Sequence, residues 1–230
     1  MKRLVLLSIV SFLATSPVFA QSVDLLWQGN GYVPPFYQGR TIWSKQTKIT
    51  LLVIPHGLGS SANLNYKWTK TGTVLGNASG IGRNSLIFID NILSKPQTFK
   101  VEIIAGDETV VASASVDVTP SSPSLSVYED SPLYGFTFHQ EVGSAYQMKE
   151  KEATFAAFPF FFGIKDRADG AIEYGWRANA GEVETRNSVT YRAPDGTSGS
   201  AEVSASATHK EKITQDARKS FLIQFGKENE

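Results

Sequence analysis

After residue 47, bulky and polar side chains alternate in short runs that Gly, Pro, Asn and Asp interrupt. A period of two puts every second side chain on one face, which is the pattern of a half-buried β-strand. Residues 48–54 alternate, are rich in branched side chains and stop at Pro55. Asn65-Tyr66-Lys67-Trp68 places two large rings on one face, and Val74-Leu75 is a short return. Residues 84–89 set Leu86 and Phe88 on one side. Residues 99–105 and 110–118 read as a hairpin around Gly106-Asp107-Glu108. Before them, Asp24-Leu25-Leu26-Trp27-Gln28 reads as a short strand, followed by an extended stretch that Pro34-Pro35 keeps out of a ladder. Short strands at this spacing predict a β-sandwich.

The same order of landmarks returns after Pro120-Ser121-Ser122-Pro123, which reads as a linker. Residues 153–158 form a run expected to be halted by Pro159, as residues 49–54 are by Pro55. Glu173-Tyr174-Gly175-Trp176 repeats the Tyr-x-Trp device, and Asn187-Ser188-Val189-Thr190-Tyr191 matches Asn84-Ser85-Leu86-Ile87-Phe88. Pro159 follows Pro55 by 104 residues, Trp176 follows Trp68 by 108, and Asn187 follows Asn84 by 103. Offsets this constant predict a tandem duplication. The expected fold is all-β, with two immunoglobulin-like antiparallel β-sandwiches: residues 21–120 with an aromatic lead-in, and residues 121–230. Tyr66, Trp68, Tyr174 and Trp176 are expected in the two cores, since an immunoglobulin-like sandwich packs a Trp of its third strand inward. Helix signals are scarce: residues 146–152 suggest a turn, and residues 208–219 a charged hairpin end.

The first twenty residues read differently. Lys2 and Arg3 precede an apolar run over residues 4–13, and Val18-Phe19-Ala20 offers small residues at −3 and −1. This is the pattern of a cleaved signal peptide, residues 1–20, with an exported product at the cell surface, outside the cell or in a periplasm. Removing this leader takes the 22 basic groups to 20 against 22 acidic ones, a net charge of −2, which gives no support to nucleic-acid binding. No second apolar run is long enough to span a membrane. There is no cysteine, so neither disulfides nor thiolate chemistry contribute.

Signatures of catalysis and of cofactors are missing. The glycine-rich residues 72–82 lack the Gly-Lys-Ser/Thr ending of a phosphate loop, and Asn77-Ala78-Ser79 is a glycosylation acceptor only in a eukaryotic secretory route. His56, His139 and His209 have no partner at zinc-ligand spacing. Asp166-Arg167-Ala168-Asp169-Gly170 lacks the ligand alternation of a calcium loop and reads as a turn. The expectation is a non-enzyme with no catalytic residue, metal or cofactor; a hydrolase that assembles carboxylates from distant strands is the remote alternative.

Large rings outside the repeat are the candidates for recognition. Trp27, Phe36, Tyr37 and Trp43 crowd a short lead-in. They either cover the edge of the first unit or form an exposed aromatic strip. Phe158-Pro159-Phe160-Phe161-Phe162 is the most apolar stretch after the leader, and three consecutive rings on an extended chain cannot all face one core. Phe160, Phe161 and Phe162 therefore either cover a domain junction or form a partner-binding patch.

The stretches Asp24-Leu25-Leu26-Trp27-Gln28, Tyr32-Val33-Pro34-Pro35-Phe36-Tyr37-Gln38-Gly39, Tyr66-Lys67-Trp68 with Val74-Leu75-Gly76-Asn77-Ala78-Ser79-Gly80-Ile81-Gly82, and Tyr128-Glu129-Asp130-Ser131-Pro132-Leu133-Tyr134-Gly135 carry a resemblance. Through them the chain resembles tandem immunoglobulin-like secreted proteins of unassigned function from ultra-small bacteria of the candidate phyla radiation. The resemblance implies a surface or extracellular product linked to pilus or envelope assembly, and supplies no catalytic residue. The expected role is binding or scaffolding, with a protein partner at the cell surface. A glycan of the cell wall or extracellular matrix, bound on an aromatic platform, is the alternative partner.

Overall fold

The computed structural model describes residues 21–90 and 95–226. The expected leader, residues 1–20, lies outside the described residues. The first unit contains β1 (Ser22–Gly29), β2 (Lys48–His56), β3 (Asn65–Lys70), β4 (Thr73–Val74), β5 (Gly80–Ile81), β6 (Ser85–Ile89), β7 (Gln97–Ile104) and β8 (Val110–Val118). The second contains β9 (Ser124–Ser131), β10 (Gly135–Phe136), β11 (Ala145–Gln147), β12 (Glu152–Phe160), β13 (Ile172–Ala178), β14 (Ser188–Arg192), β15 (Gly199–His209) and β16 (Asp216–Phe225).

Each unit is two sheets face to face. In the first, β1-β2-β6 packs on β4-β3-β7-β8, with β5 also paired to β3. In the second, β10-β9-β12-β14 packs on β11-β16-β15-β13. This is an immunoglobulin-like order, with Trp68 and Trp176 each on the third long strand of its unit. Two cores follow. Trp43, Ile49, Leu51, Tyr66, Trp68, Phe99 and Val101 are buried in one, and Val127, Phe155, Phe162, Tyr174, Trp176, Val203 and Phe221 in the other.

The two units match down to single hydrogen bonds. Trp68 Nε1 donates to the Arg83 carbonyl at 2.8 Å, and Trp176 Nε1 to the Arg186 carbonyl at 2.9 Å. Tyr66 and Tyr174 donate their hydroxyls to the upstream carbonyls of Ser61 and Arg167. Val53 N donates to the Asn84 carbonyl, and Ala157 N to the Asn187 carbonyl. A buried indole N–H needs an acceptor, and both units meet that need at the matching place.

Three expectations are corrected. Neither Pro55 nor Pro159 halts its strand: β2 runs to His56 and β12 to Phe160. Pro55 still pairs with Val23, and Pro159 with Leu125, but β6 and β14 end before reaching them. The missing N–H therefore faces no ladder partner, the position where a strand accepts proline. Residues 146–152 are not simply a turn, because β11 runs parallel to β16 there.

Candidate binding surface

The lead-in between β1 and β2 is the part that joins the units. It leaves the first unit after Gly29 and reaches the second at Tyr32, whose N–H donates to the Phe162 carbonyl at 2.6 Å while Phe161 N donates back to the Tyr32 carbonyl at 2.6 Å. Gly31 permits the approach: a Cβ there would lie 2.6–2.7 Å from Phe161 backbone atoms. Phe36 then stacks on Phe138, ring centroids 4.0 Å apart, and meets Tyr128, Phe158 and Phe160 edge to face. Tyr37 meets Phe160 and Phe161. Arg40 lays its guanidinium 3.9 Å from the Trp27 ring centroid, and the chain returns to bury Trp43, whose Nε1 donates to the Thr47 carbonyl.

These placements redistribute the candidates. Trp27, Phe36, Tyr37 and Trp43 do not form one strip. Trp27 packs partly buried on the first core and Trp43 is enclosed within it, whereas Phe36 and Tyr37 are half-buried against the second unit. Phe36 and Tyr37 therefore cover the second unit, not the edge of the first. Nor do Phe160, Phe161 and Phe162 form one patch. Phe160 faces the lead-in, Phe162 is enclosed in the second core, and Phe161 turns between them at a φ of 65°. Trp43 and Phe162 are withdrawn as recognition residues, because burial leaves them nothing to offer a partner. Trp68 and Trp176 are also enclosed, and Phe36, Tyr37, Phe160 and Phe161 pack on one another.

A polar clamp lies beside the aromatic junction. Gln215 is fully buried; its Nε2 donates to the Lys45 carbonyl at 2.7 Å, and its Oε1 accepts from Gly163 N at 2.7 Å. Gln46 Oε1 accepts from both the N–H and the hydroxyl of Thr214. The expected linker is pinned as well: Ser121 N donates to the Trp43 carbonyl, and Lys45 N to the Ser121 carbonyl.

The covered sheet face of the second unit has a bare counterpart. In β9 and β12, Tyr128, Ala156, Phe158 and Phe160 point away from the core and are buried by the lead-in and by Phe138. In the first unit, the corresponding outward positions hold Leu26, Leu52 and Ile54, with Ile87 and Ile89 on β6 beside them. These five are between 38% and 65% exposed. Leu26 stands opposite Leu52, as Tyr128 stands opposite Ala156. Across the β2–β6 pair Leu52 and Ile87 are diagonal neighbours, Leu52 standing opposite Ser85 and Ile87 opposite Thr50, and grouped exposed aliphatic side chains make this face a candidate for binding. Asp24 and His56 pair at 3.0 Å at one end of this face.

Sequence reasoning passed over these residues, yet a signal was there. Leu51-Leu52-Val53-Ile54 and Leu86-Ile87-Phe88-Ile89 are continuous apolar runs rather than alternations. A continuous run belongs to a strand that is apolar on both faces.

Elsewhere, a groove of about 580 Å³ is lined by Met148, Lys149, Lys151, Asp195, Ser198 and Phe225, among others. Its Lys151 and Asp195 pair with each other at 2.7 Å. Asp166 and Asp169 turn their carboxylates onto backbone N–H groups of their own loop, Asp169 accepting from Lys165 and Ala171. Those bonds hold the Asp169 carboxyl below its ordinary pKa, with the Lys165 N–H the largest cause. They account for the Asp pair as turn chemistry. Among the described residues, no helix is long and apolar enough to cross a membrane.

No protein-family model matches the chain, and no curated protein matches it. Among solved structures it is similar to the fibronectin(III)-like modules of Clostridium thermocellum CbhA, at 13% identity and a TM-score of 0.28 over 87% of this chain and 94% of that one. It is similar to the extracellular domain of a hybrid two-component system from B. thetaiotaomicron, at 10% identity and a TM-score of 0.31 over 82% of this chain and 26% of that one. Similarity to the Sidekick-1 immunoglobulin domains 1–4 has 10% identity and a TM-score of 0.25, over 88% of this chain and 66% of that one. The sandwich fold stands on the sheet order and the two cores described above.

Proposed function

We propose that this chain is an exported, non-catalytic binding or scaffold protein of the cell surface, acting through the bare β1-β2-β6 face of its first unit. The observation that carries the reading is the set Leu26, Leu52, Ile54, Ile87 and Ile89, exposed together on one sheet face while the matching face of the second unit is covered. Aliphatic side chains offer area to a partner and no reactive group, which favours binding over catalysis. A rigid, edge-bearing sandwich suits this use, since recognition is added to such folds on faces, edges and loops. Export rests on the leader pattern of residues 1–20, and a role in pilus or envelope assembly rests on the resemblance to secreted proteins of ultra-small bacteria.

The test is retention of the labelled, purified chain on the surface of cells that export it. The double variant Leu52→Lys with Ile87→Lys is expected to lower retention by about tenfold, because charge in the middle of an apolar seat cannot be desolvated cheaply. Equal retention of variant and wild type would overturn the reading.

A further inference from the structure

We propose that the partner seated on this face is a second copy of the chain, which presents its second unit, so that copies associate head to tail. The inference rests on the binding-face reading above and names the occupant.

The chain already makes this kind of junction once, inside itself. The connection between β1 and β2 carries Pro35-Phe36-Tyr37 and lays both rings on the outer face of β9 and β12. The connection at the same place in the second unit, between β9 and β12, carries Pro132-Leu133-Tyr134. There the tip is unseated: Leu133 is 85% exposed and Tyr134 84%. The positions that receive Phe36 in the second unit include Tyr128 and Phe158. Their counterparts in the first unit are Leu26 and Ile54, which nothing covers among the described residues. The second unit thus carries an apolar tip without a seat, and the first an apolar seat without a tip. A second copy satisfies both.

Tip and seat are different surfaces, so the contact is heterologous and builds an open row, or a ring if the rotation closes. It is also weaker than the junction within the chain. Gln215 stands where His209 N meets its carbonyl at 2.9 Å, and in the first unit Ala105 N meets Thr109 in the same way at 2.9 Å. The Thr109 hydroxyl turns back to Asp107, so the position carries no long amide to bridge two units. The contact between copies rests on the apolar seat alone, and association is reversible.

Sedimentation velocity of the full chain, expressed with its own leader and purified after export, tests this. Wild type is expected to gain mass with concentration. The tip variant Leu133→Ser with Tyr134→Ser and the seat variant Leu52→Lys with Ile87→Lys should each weaken association by about tenfold or more. All four positions are exposed, and circular dichroism and melting temperature check that both variants fold. Mixed together, the two variants should form a one-to-one dimer that stops there, because one retains the seat and the other the tip. A tip variant that still associates with itself would overturn the head-to-tail contact in favour of face-to-face pairing. A wild type that stays monomeric up to about 1 mM would overturn self-association. In that case the cell-surface assay separates the two readings. Loss of retention in the seat variant leaves a binding face with a different partner, and unchanged retention removes both.

Discussion

Tyr66, Trp68, Tyr174 and Trp176 are packed alike and hydrogen-bonded alike, so each Tyr-x-Trp pins one core by shape and by one indole N–H. Trp68→Phe and Trp176→Phe remove that donor, leave a buried carbonyl without its partner and open a small void. Each is expected to cost about 2 kcal/mol in urea unfolding. A change near zero in either would show that the indole is not the pin. His209 adds a pH dependence. Its pKa lies below the ordinary value, chiefly through burial and then through the nearby Lys212 charge; a hydrogen bond to the Gly163 backbone, then Glu211 and Asp169, oppose the shift. Its Nδ1 also accepts from Glu211 N, a bond that only the unprotonated nitrogen makes. The unfolded chain therefore takes the proton more readily than the folded one. The contribution is complete above about pH 6.5 and is lost as the pH falls through the folded-state value. Urea midpoints should drop on acidification, and His209→Gln should flatten that part of the profile.

At the scale of elements, the lead-in decides what each sheet face does. Gly31→Val places carbon where the Phe161 backbone already lies. The expected result is a lifted lead-in with both cores intact: protease cutting within residues 30–42, and binding of a hydrophobic dye at the uncovered Phe158 and Phe160, with unchanged far-ultraviolet dichroism. Wild-type resistance in the variant would contradict the docking. The strands and the likeness of the two units were legible because Tyr-x-Trp, Pro55 with Pro159 and Asn84 with Asn187 are local signals at constant spacing. The course of Phe36 and Tyr37 was not legible, because local periodicity says that a ring is apolar and is silent on which distant face it reaches. The Phe160 to Phe162 run was read correctly as unable to face one core. Its split between two clusters depends on the positive φ of Phe161, which no residue type there signals. The seat was half legible, in apolar runs whose second face has no use within the fold.

At the scale of the molecule, the two sandwiches are docked through the lead-in rings and the Gln215 clamp. Gln215→Ala removes the bond that bridges to the Lys45 carbonyl and the bond that holds the amide within the second unit, and strands the Lys45 carbonyl and the Gly163 N–H. The expected loss is about 2 kcal/mol, seen as a broader or split thermal transition and a larger radius of gyration in solution scattering. A single transition of wild-type width would place the coupling in the rings alone. The same molecule presents one apolar seat and one apolar tip at different places, and the proposed binding role rests on the seat. Methyl spectra of the labelled chain across a concentration series address that seat most directly. The methyl signals of Leu26, Leu52, Ile54, Ile87 and Ile89, with those of Leu133, are expected to shift together as the copies associate, while those of Ile81 and Ile213, more exposed than the five but off the face, hold still. Association that moves Ile81 or Ile213 and leaves the five face residues unchanged would contradict the account.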